Sequence, residues 1–277
     1  MRNNNSVLEN LGKKIGELET KISIIKKRFH DSPTVSQNAI ELKREDSALL
    51  QKKDIPYGIN YFDFENTFRG SRTKIKSIQE QYVSYFKGCS LVLDLGSGRG
   101  EFLELLKEYG IGAVGVEIYD EFVEFCRNRD LKVIQQDVLG YLREQKEIDG
   151  IFAGQLIEHL PLECTIELCT LAYEKMKPGG YMILETPNPM SLAIFTHSFY
   201  MDPTHLKPVH PQTLKYIAER AGFKKVEILF TENSKYPMHI PDLKIKEADN
   251  LEEFNKSMRM VEEVLFGSQD YAIIAKR

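Results

Sequence analysis

The 277-residue sequence predicts an α/β fold, a mainly parallel sheet covered on both faces and preceded by a separate N-terminal helix. Three observations carry that prediction. Short apolar runs alternate with helical stretches from residue 91 to the C-terminus, a heptad pattern fills the first thirty residues, and a glycine-rich turn follows the first apolar run.

The runs are 91–95 (LVLDL), 113–116 (AVGV), 132–134, 150–153, 181–185 (YMILE), 225–230 (KVEILF) and 271–275 (YAIIA). Strands buried on both faces read as continuous apolar stretches, and a helix between consecutive strands is the crossover that parallel pairing requires. The last connection is different. Residues 231–267 hold a loop with Pro237 and Pro241 and then a helix near Leu251 to Leu265, so the final strand can insert antiparallel beside its predecessor.

Upstream, Leu8, Leu11, Ile15, Leu18, Ile22, Ile25 and Phe29 are spaced by three and four in alternation, the a/d seam of a coiled coil. Ser6 and Glu9 form a capping box at its start. A seam this narrow predicts a helix over 1–30 that joins copies of the chain. The alternative is an amphipathic helix packed on its own chain. Gly12 and Gly16 each cost roughly 1 kcal/mol in a helix, so this short segment needs help from the globular part. Residues 31–55 are polar, with Pro33 near their start, and read as a linker. Tyr57, Tyr61, Phe62, Phe64 and Phe68 then open a single domain over 56–277.

Composition disfavours several classes of function. Lys and Arg number 37 against 41 Asp and Glu, a net charge of −4, which gives no electrostatic grip on nucleic acid or anionic lipid. The cysteines Cys89, Cys126, Cys164 and Cys169 lack Cys-x-x-Cys spacing and read as reduced thiols of a cytoplasmic protein; Cys164 and Cys169 are expected to face the core without chemistry. No stretch approaches the roughly 18 apolar residues of a membrane span, and the first ten residues have no signal-peptide core.

The chemistry begins at Asp94-Leu-Gly-Ser-Gly-Arg-Gly100, between a strand and a helix over Glu101 to Tyr109 that Gly110 closes. The glycines let a ligand approach the backbone, and the helix N-terminus offers unpaired N–H groups. A nucleoside with a carboxylate tail suits such a turn, and so does a dinucleotide. Glu117 ends the second strand roughly twenty residues beyond Gly96, where a carboxylate can accept both ribose hydroxyls. Asp137 and Val138 follow the third strand, where a carboxylate and an amide can read an adenine edge. A dinucleotide fold does not usually need that third polar reader.

This ordered series, with Lys177-Pro-Gly-Gly180 before the fifth strand, resembles the successive motifs of the class I S-adenosylmethionine-dependent methyltransferases over roughly residues 56–277. The resemblance implies a Rossmann-like seven-stranded sheet with an antiparallel last strand. It implies that Gly96 and Gly98, with Asp94 and Ser97, hold the methionyl part. Glu117, with Ile118 beside it, would take the ribose, Asp137 and Val138 the adenine, and Gln155 would lie beneath the sulfonium. Arg69 would fork onto the methionyl carboxylate, or else form a surface ion pair.

Within that superfamily, Gln155-Leu-Ile-Glu-His159 resembles small-molecule O-methyltransferases of the ubiquinone-biosynthesis type. Phe64-Glu-x-x-Phe-Arg-Gly-Ser71 and Phe199-Tyr-Met-Asp-Pro-Thr-His-Leu-Lys-Pro-Val-His-Pro211 resemble a group of uncharacterised prokaryotic methyltransferases associated with glycan assembly. The Asn/Asp-Pro-Pro-Tyr/Phe motif of amide and adenine N-methyltransferases is absent, which favours an oxygen acceptor.

The expected activity is therefore S-adenosylmethionine-dependent O-methylation of a sugar, a lipid-linked glycan or another small hydroxylated acceptor. Transfer would be in line, with His159 or His205 as base and Glu158 beside them. His210 can instead cap the helix that begins at Pro211, and His205 can simply pack within its loop. Glu158, Asp202, His205 and His210 are also metal-ligand types, but nothing in the sequence makes them converge, so no metal is expected. The rival readings are an NAD-dependent oxidoreductase, against which Asp137 and the late strand speak, and a non-catalytic scaffold that binds S-adenosylmethionine. Carbon methylation can also use a Glu-His pair after the fourth strand.

Overall fold

The computed structural model describes residues 60–246 and 249–277, so the expected coiled coil and linker lie outside the described residues. Two helices, α1 (Tyr61–Phe68) and α2 (Arg72–Val83), precede the sheet. Each starts on a side-chain cap: Asn60 Oδ1 accepts the Asp63 amide and Ser71 Oγ accepts the Lys74 amide.

The chain then alternates through β1 (Val92–Leu95), α3 (Glu101–Glu108), β2 (Ala113–Glu117), α4 (Asp120–Arg127), β3 (Val133–Gln135), α5 (Val138–Glu144) and β4 (Ile148–Gly154). It continues through α6 (Leu162–Lys175), β5 (Met176–Pro187), α7 (Ala193–His197), α8 (Pro211–Ala221), β6 (Lys225–Phe230), α9 (Leu251–Phe266) and β7 (Asp270–Lys276). The strands form one seven-stranded sheet in the order β3-β2-β1-β4-β5-β7-β6. All pairs are parallel except those of β7, which is antiparallel to both β5 and β6. The strand pattern read from the sequence is met at all seven places.

Alternate side chains of the strands enter two buried layers. Leu93, Leu95, Ile151 and Ala153 pack with α5, α6 and α8 on one face, through Leu142, Leu168 and Leu214. Val92, Phe152 and Ile183 pack on the other against Tyr82, Phe86 and Phe102. Phe102 stacks on Phe152 with centroids 3.9 Å apart.

One local expectation changes. Lys177-Pro-Gly-Gly180 lies inside β5 and not before it, because pairing with β4 jumps from Ile148↔Met176 to Gly150↔Tyr181. The irregularity is held by Asp149, whose Oδ1 accepts Lys177 Nζ at 2.6 Å, and by Gly180, where a β-carbon would come within 2.5 Å of the Asp149 carbonyl oxygen. With β1 next to β4, strand order reverses there, and the carboxyl ends of β1, β2, β4 and β5 open on the crevice where α/β sheets bind ligands.

Candidate active site

One side of the crevice is built from the turn after β1. Gly96, Gly98 and Gly100 adopt φ of 68°, 49° and 71°, in the left-handed region where other residues are strained. The last two glycines of this run serve different ends. A β-carbon on Gly100 would meet Leu131 Cδ1 at 2.7 Å and Cys126 Sγ at 2.8 Å, whereas one on Gly98 meets nothing within 4 Å. Gly100 is thus required by packing, and Gly98 faces open ground.

Glu117, at the end of β2, is buried, and its two oxygens accept the amides of Gly98 (2.9 Å), Ile118 (2.7 Å) and Tyr119 (3.1 Å). Burial still lifts its carboxyl above the usual range, against the pull of those three amides. Asp94 is pushed up to about 8, chiefly by burial and by Glu101, with Arg69 opposing. Ser97 Oγ is buried without a partner. Asp137 caps α5 by accepting the Gly140 amide, which fixes it at the end of β3 with Val138 opening the helix. Open backbone at Gly98, a carboxylate at the end of β2 and an unsatisfied hydroxyl at Ser97 fit a polar nucleoside with an amino-acid tail.

Beside this lies a cavity of about 420 Å³, walled by α1, α2, the segment after β4, the end of β5, the loop 197–205 and the start of β7. Arg69 stands on its wall. Its Nη1 pairs with Glu65 at 3.0 Å, while its Nε is buried without a partner, so the ion-pair reading and a free donor coexist in one guanidinium. Gln155 has φ 57°, strained for a residue with a side chain, and its Nε2 donates to Asp270 Oδ1 at 3.0 Å and to Glu185 Oε1 at 3.5 Å. Burial raises both carboxyls, and repulsion from Asp270 raises Glu185 further.

Two histidines share another wall, their rings 4.6 Å apart edge to face. His205 Nδ1 lies 2.7 Å from the Phe199 carbonyl, which can only accept, so that nitrogen carries the proton. His159 Nδ1 lies 2.8 Å from Thr204 Oγ1, whose single proton goes to Asp202 Oδ1 at 2.6 Å; His159 Nδ1 is therefore the donor. Both rings leave Nε2 as a lone pair. Burial depresses both imidazoles, and His205 further depresses His159, so both are neutral at neutral pH. Burial opposes the charge of Asp202, yet Thr204 and the two imidazoles hold it below the usual carboxylate range.

Glu158 is fully buried. Its Oε2 accepts the Thr186 hydroxyl at 2.8 Å, its Oε1 has no partner and lies 4.0 Å from His205 Nε2, and burial pushes it up to about 8.

Of the four metal-ligand types singled out in the sequence, only part assembles. Polar atoms of Glu158, His159 and His205 lie within 4.8 Å of one another, with Asp202 Oδ2 3.8 Å from His205. His210 is elsewhere: it caps α8 through Nδ1 to the Gln212 amide at 3.2 Å, the role the sequence offered as its alternative. His197 reaches the cavity edge against the Tyr236 ring. Cys169 is buried as expected, while Cys164 is only half-buried.

Sequence reasoning missed Tyr61, whose hydroxyl bonds Asp202 Oδ2 at 2.9 Å, and the cavity residues Gln79, Glu185 and Asp270. Glu185 had a signal, an acid at the carboxyl end of a parallel strand, the position that singled out Glu117. Asp270 had none without the knowledge that β7 runs backwards.

Comparison with known proteins agrees with this geometry. A family described as a methyltransferase domain matches residues 72–228. A solved S-adenosylmethionine-dependent methyltransferase from Archaeoglobus fulgidus is 43% identical, covering 79% of this chain and 100% of its own, with a TM-score of 0.74. The plantazolicin methyltransferase BpumL, solved with SAH, shares the fold at 17% identity, 87% of this chain and 98% of its own, with a TM-score of 0.55. A methyltransferase structure from Thermotoga maritima shares it at 16% identity, 74% and 90% coverage and a TM-score of 0.52. No curated protein matches the chain.

Proposed function

The chain belongs to the S-adenosylmethionine-dependent methyltransferases, and from that premise we propose that it methylates a hydroxyl of a sugar, a lipid-linked glycan or another small acceptor held in the cavity beside Gln155. Family membership sets aside hydride transfer to NAD and the non-catalytic scaffold. The observation that carries the oxygen reading is the histidine pair, two neutral imidazoles with Nε2 lone pairs on the wall of the cavity.

Bound S-adenosylmethionine supplies an electrophilic methyl group on a positively charged sulfur. The residues of this chain do the rest. Gly96, Gly98 and Glu117 position the nucleoside and methionyl parts, with Asp94, Ser97, Ile118, Asp137 and Val138 around them. Arg69 presents its unpartnered Nε to the carboxylate. His159 or His205 takes the acceptor's hydroxyl proton on Nε2 as the methyl is transferred, with Glu158 Oε1 4.0 Å from the Nε2 of His205. Alignment of two reactants is the main source of rate, and a positioned base adds roughly 10²- to 10⁴-fold. The four free thiols support a cytoplasmic protein, and the heptad seam of residues 1–30 supports a homo-oligomer.

Calorimetric titration with S-adenosylmethionine, S-adenosylhomocysteine and NAD tests the cofactor half. Micromolar binding of the first two, absent for NAD and lost in Glu117→Ala, is the expected result. Turnover with a hydroxylated acceptor tests the other half. Unchanged rates in both His159→Ala and His205→Ala would remove the histidines from the mechanism.

A further inference from the structure

One part of the cavity lining gathers carboxylate and amide oxygens, two of which have no hydrogen-bond partner. Glu185 is buried at the end of β5, and Asp270 opens β7 beside it, since the register sets Glu185 against Ala272 and Pro187 against Asp270. No ion pair within 4.0 Å reaches either carboxylate among the described residues. Of the cations on the cavity wall, Arg69 pairs with Glu65 and lowers both carboxyls from beyond ion-pair distance, Lys235 pairs with Glu232 and Glu263, and Lys74 pairs with neither acid. Gln155 Nε2 is shared between the two acids, and the hydroxyls of Tyr82 and Ser234 lower Glu185 and Asp270 respectively. Glu185 Oε2 has no partner, and neither has Oε1 of Gln79, a buried residue of α2 on the same cavity.

A pair of poorly solvated carboxylates with no ion pair within 4.0 Å, beside an orphaned amide oxygen, is costly to fold and is compensated by a cation with several N–H donors. A primary ammonium has three such donors and no acceptor, which suits this set of lone pairs. A neutral hydroxyl could donate to one of these oxygens but would leave the charge in place. We propose that Glu185, Asp270 and Gln79 form a subsite for the protonated amino group of the acceptor, which makes the acceptor a hydroxylated amine of the amino-sugar class. This deepens the reading of the cavity as an acceptor site and rests on it. The ammonium sits on the acidic wall while the hydroxyl faces the histidine pair.

The test compares glucosamine with glucose, which differ in the amino group, on the full chain saturated with S-adenosylhomocysteine at neutral pH. Binding is read by saturation-transfer NMR and calorimetry. Glucosamine is expected to bind at least about tenfold more tightly than glucose. That preference should vanish in Glu185→Gln and in Asp270→Asn. Both variants should melt no lower than the parent, because each removes an unpaired carboxylate while keeping its shape.

Equal or absent binding of the two sugars by the parent chain overturns the subsite, and so does a preference that survives both substitutions. A fall in S-adenosylmethionine affinity relative to S-adenosylhomocysteine in the variants, with sugar preference unchanged, would assign the acids to the sulfonium instead and also overturns it. Binding is read without turnover, so the subsite stands or falls separately from the choice of oxygen as the methylated atom.

Discussion

Asp149 shows how much one side chain can fix at the edge of this sheet. Its carboxylate accepts the Ser90 amide at 2.8 Å, the Leu91 amide at 2.9 Å, the Ser90 hydroxyl and Lys177 Nζ, tying the entry to β1 to the irregular start of β5. Burial works against its charge, but Lys177, Ser90 and the two amides outweigh it and hold the carboxyl well below the usual carboxylate range. A group depressed in the folded state stabilises fully above its unfolded pKa, about 3.9 for Asp, and loses that contribution as pH falls further toward the folded value. Asp149→Asn should therefore lower unfolding free energy by about 1–3 kcal/mol at neutral pH, with the gap to the parent narrowing below about pH 4. Urea unfolding of both proteins at pH 7 and pH 3 measures this. At the same scale, Glu117 and the glycines were legible because their roles follow from position on a strand and from backbone freedom. Glu158, His159 and His205 were legible as types but not as a cluster. His205 is brought to His159 by Phe199, Asp202 and Thr204, contacts that no local pattern encodes.

The turn between β1 and α3 separates two uses of glycine within one element. Alanine at Gly100 would be strained at φ 71° and would also press on Leu131 and Cys126, so Gly100→Ala should cost about 2–4 kcal/mol of stability. Alanine at Gly98 carries only the backbone strain of φ 49°, about 1–2 kcal/mol, but fills the open ground beside Glu117. Gly98→Ala should melt closer to the parent while losing at least tenfold in S-adenosylmethionine affinity. Thermal melts paired with calorimetry separate the two, and equal affinity in Gly98→Ala would remove this turn from the cofactor site. Elements of this kind were readable because the β-α alternation forces a turn after LVLDL. The Lys177-Pro-Gly-Gly180 segment was misplaced because glycine and proline signal a break, while the contacts that keep it in the sheet come from Asp149 on the neighbouring strand.

Over the whole molecule, the reversal of β7 decides where the cavity gets its acids. An antiparallel last strand begins at the sheet edge where the parallel strands end, so Asp270 joins Glu185 and Gln155 at the crevice. The sequence showed that the connection before β7 was unusual, and the geometry followed from it. The proposed oligomer has two candidate apolar stretches to form on. One is the a/d seam between Leu8 and Phe29, and the other is α9, which buries none of its residues and exposes Phe254, Met260, Val261 and Val264. A seam repeating at three and four is complementary to its own copy, whereas the apolar residues of α9 are interrupted by Glu252, Glu253, Glu262 and Glu263, like charges that oppose close pairing. Removing residues 1–30 should therefore convert an oligomer into a monomer and leave S-adenosylmethionine affinity within about twofold, because every proposed cofactor residue lies beyond Gly70 or at Arg69. Sedimentation velocity on the full and shortened chains reads the first effect and calorimetry the second. A shortened chain that stays oligomeric, and becomes monomeric when Met260 and Val264 are changed to glutamate, would move the interface to α9.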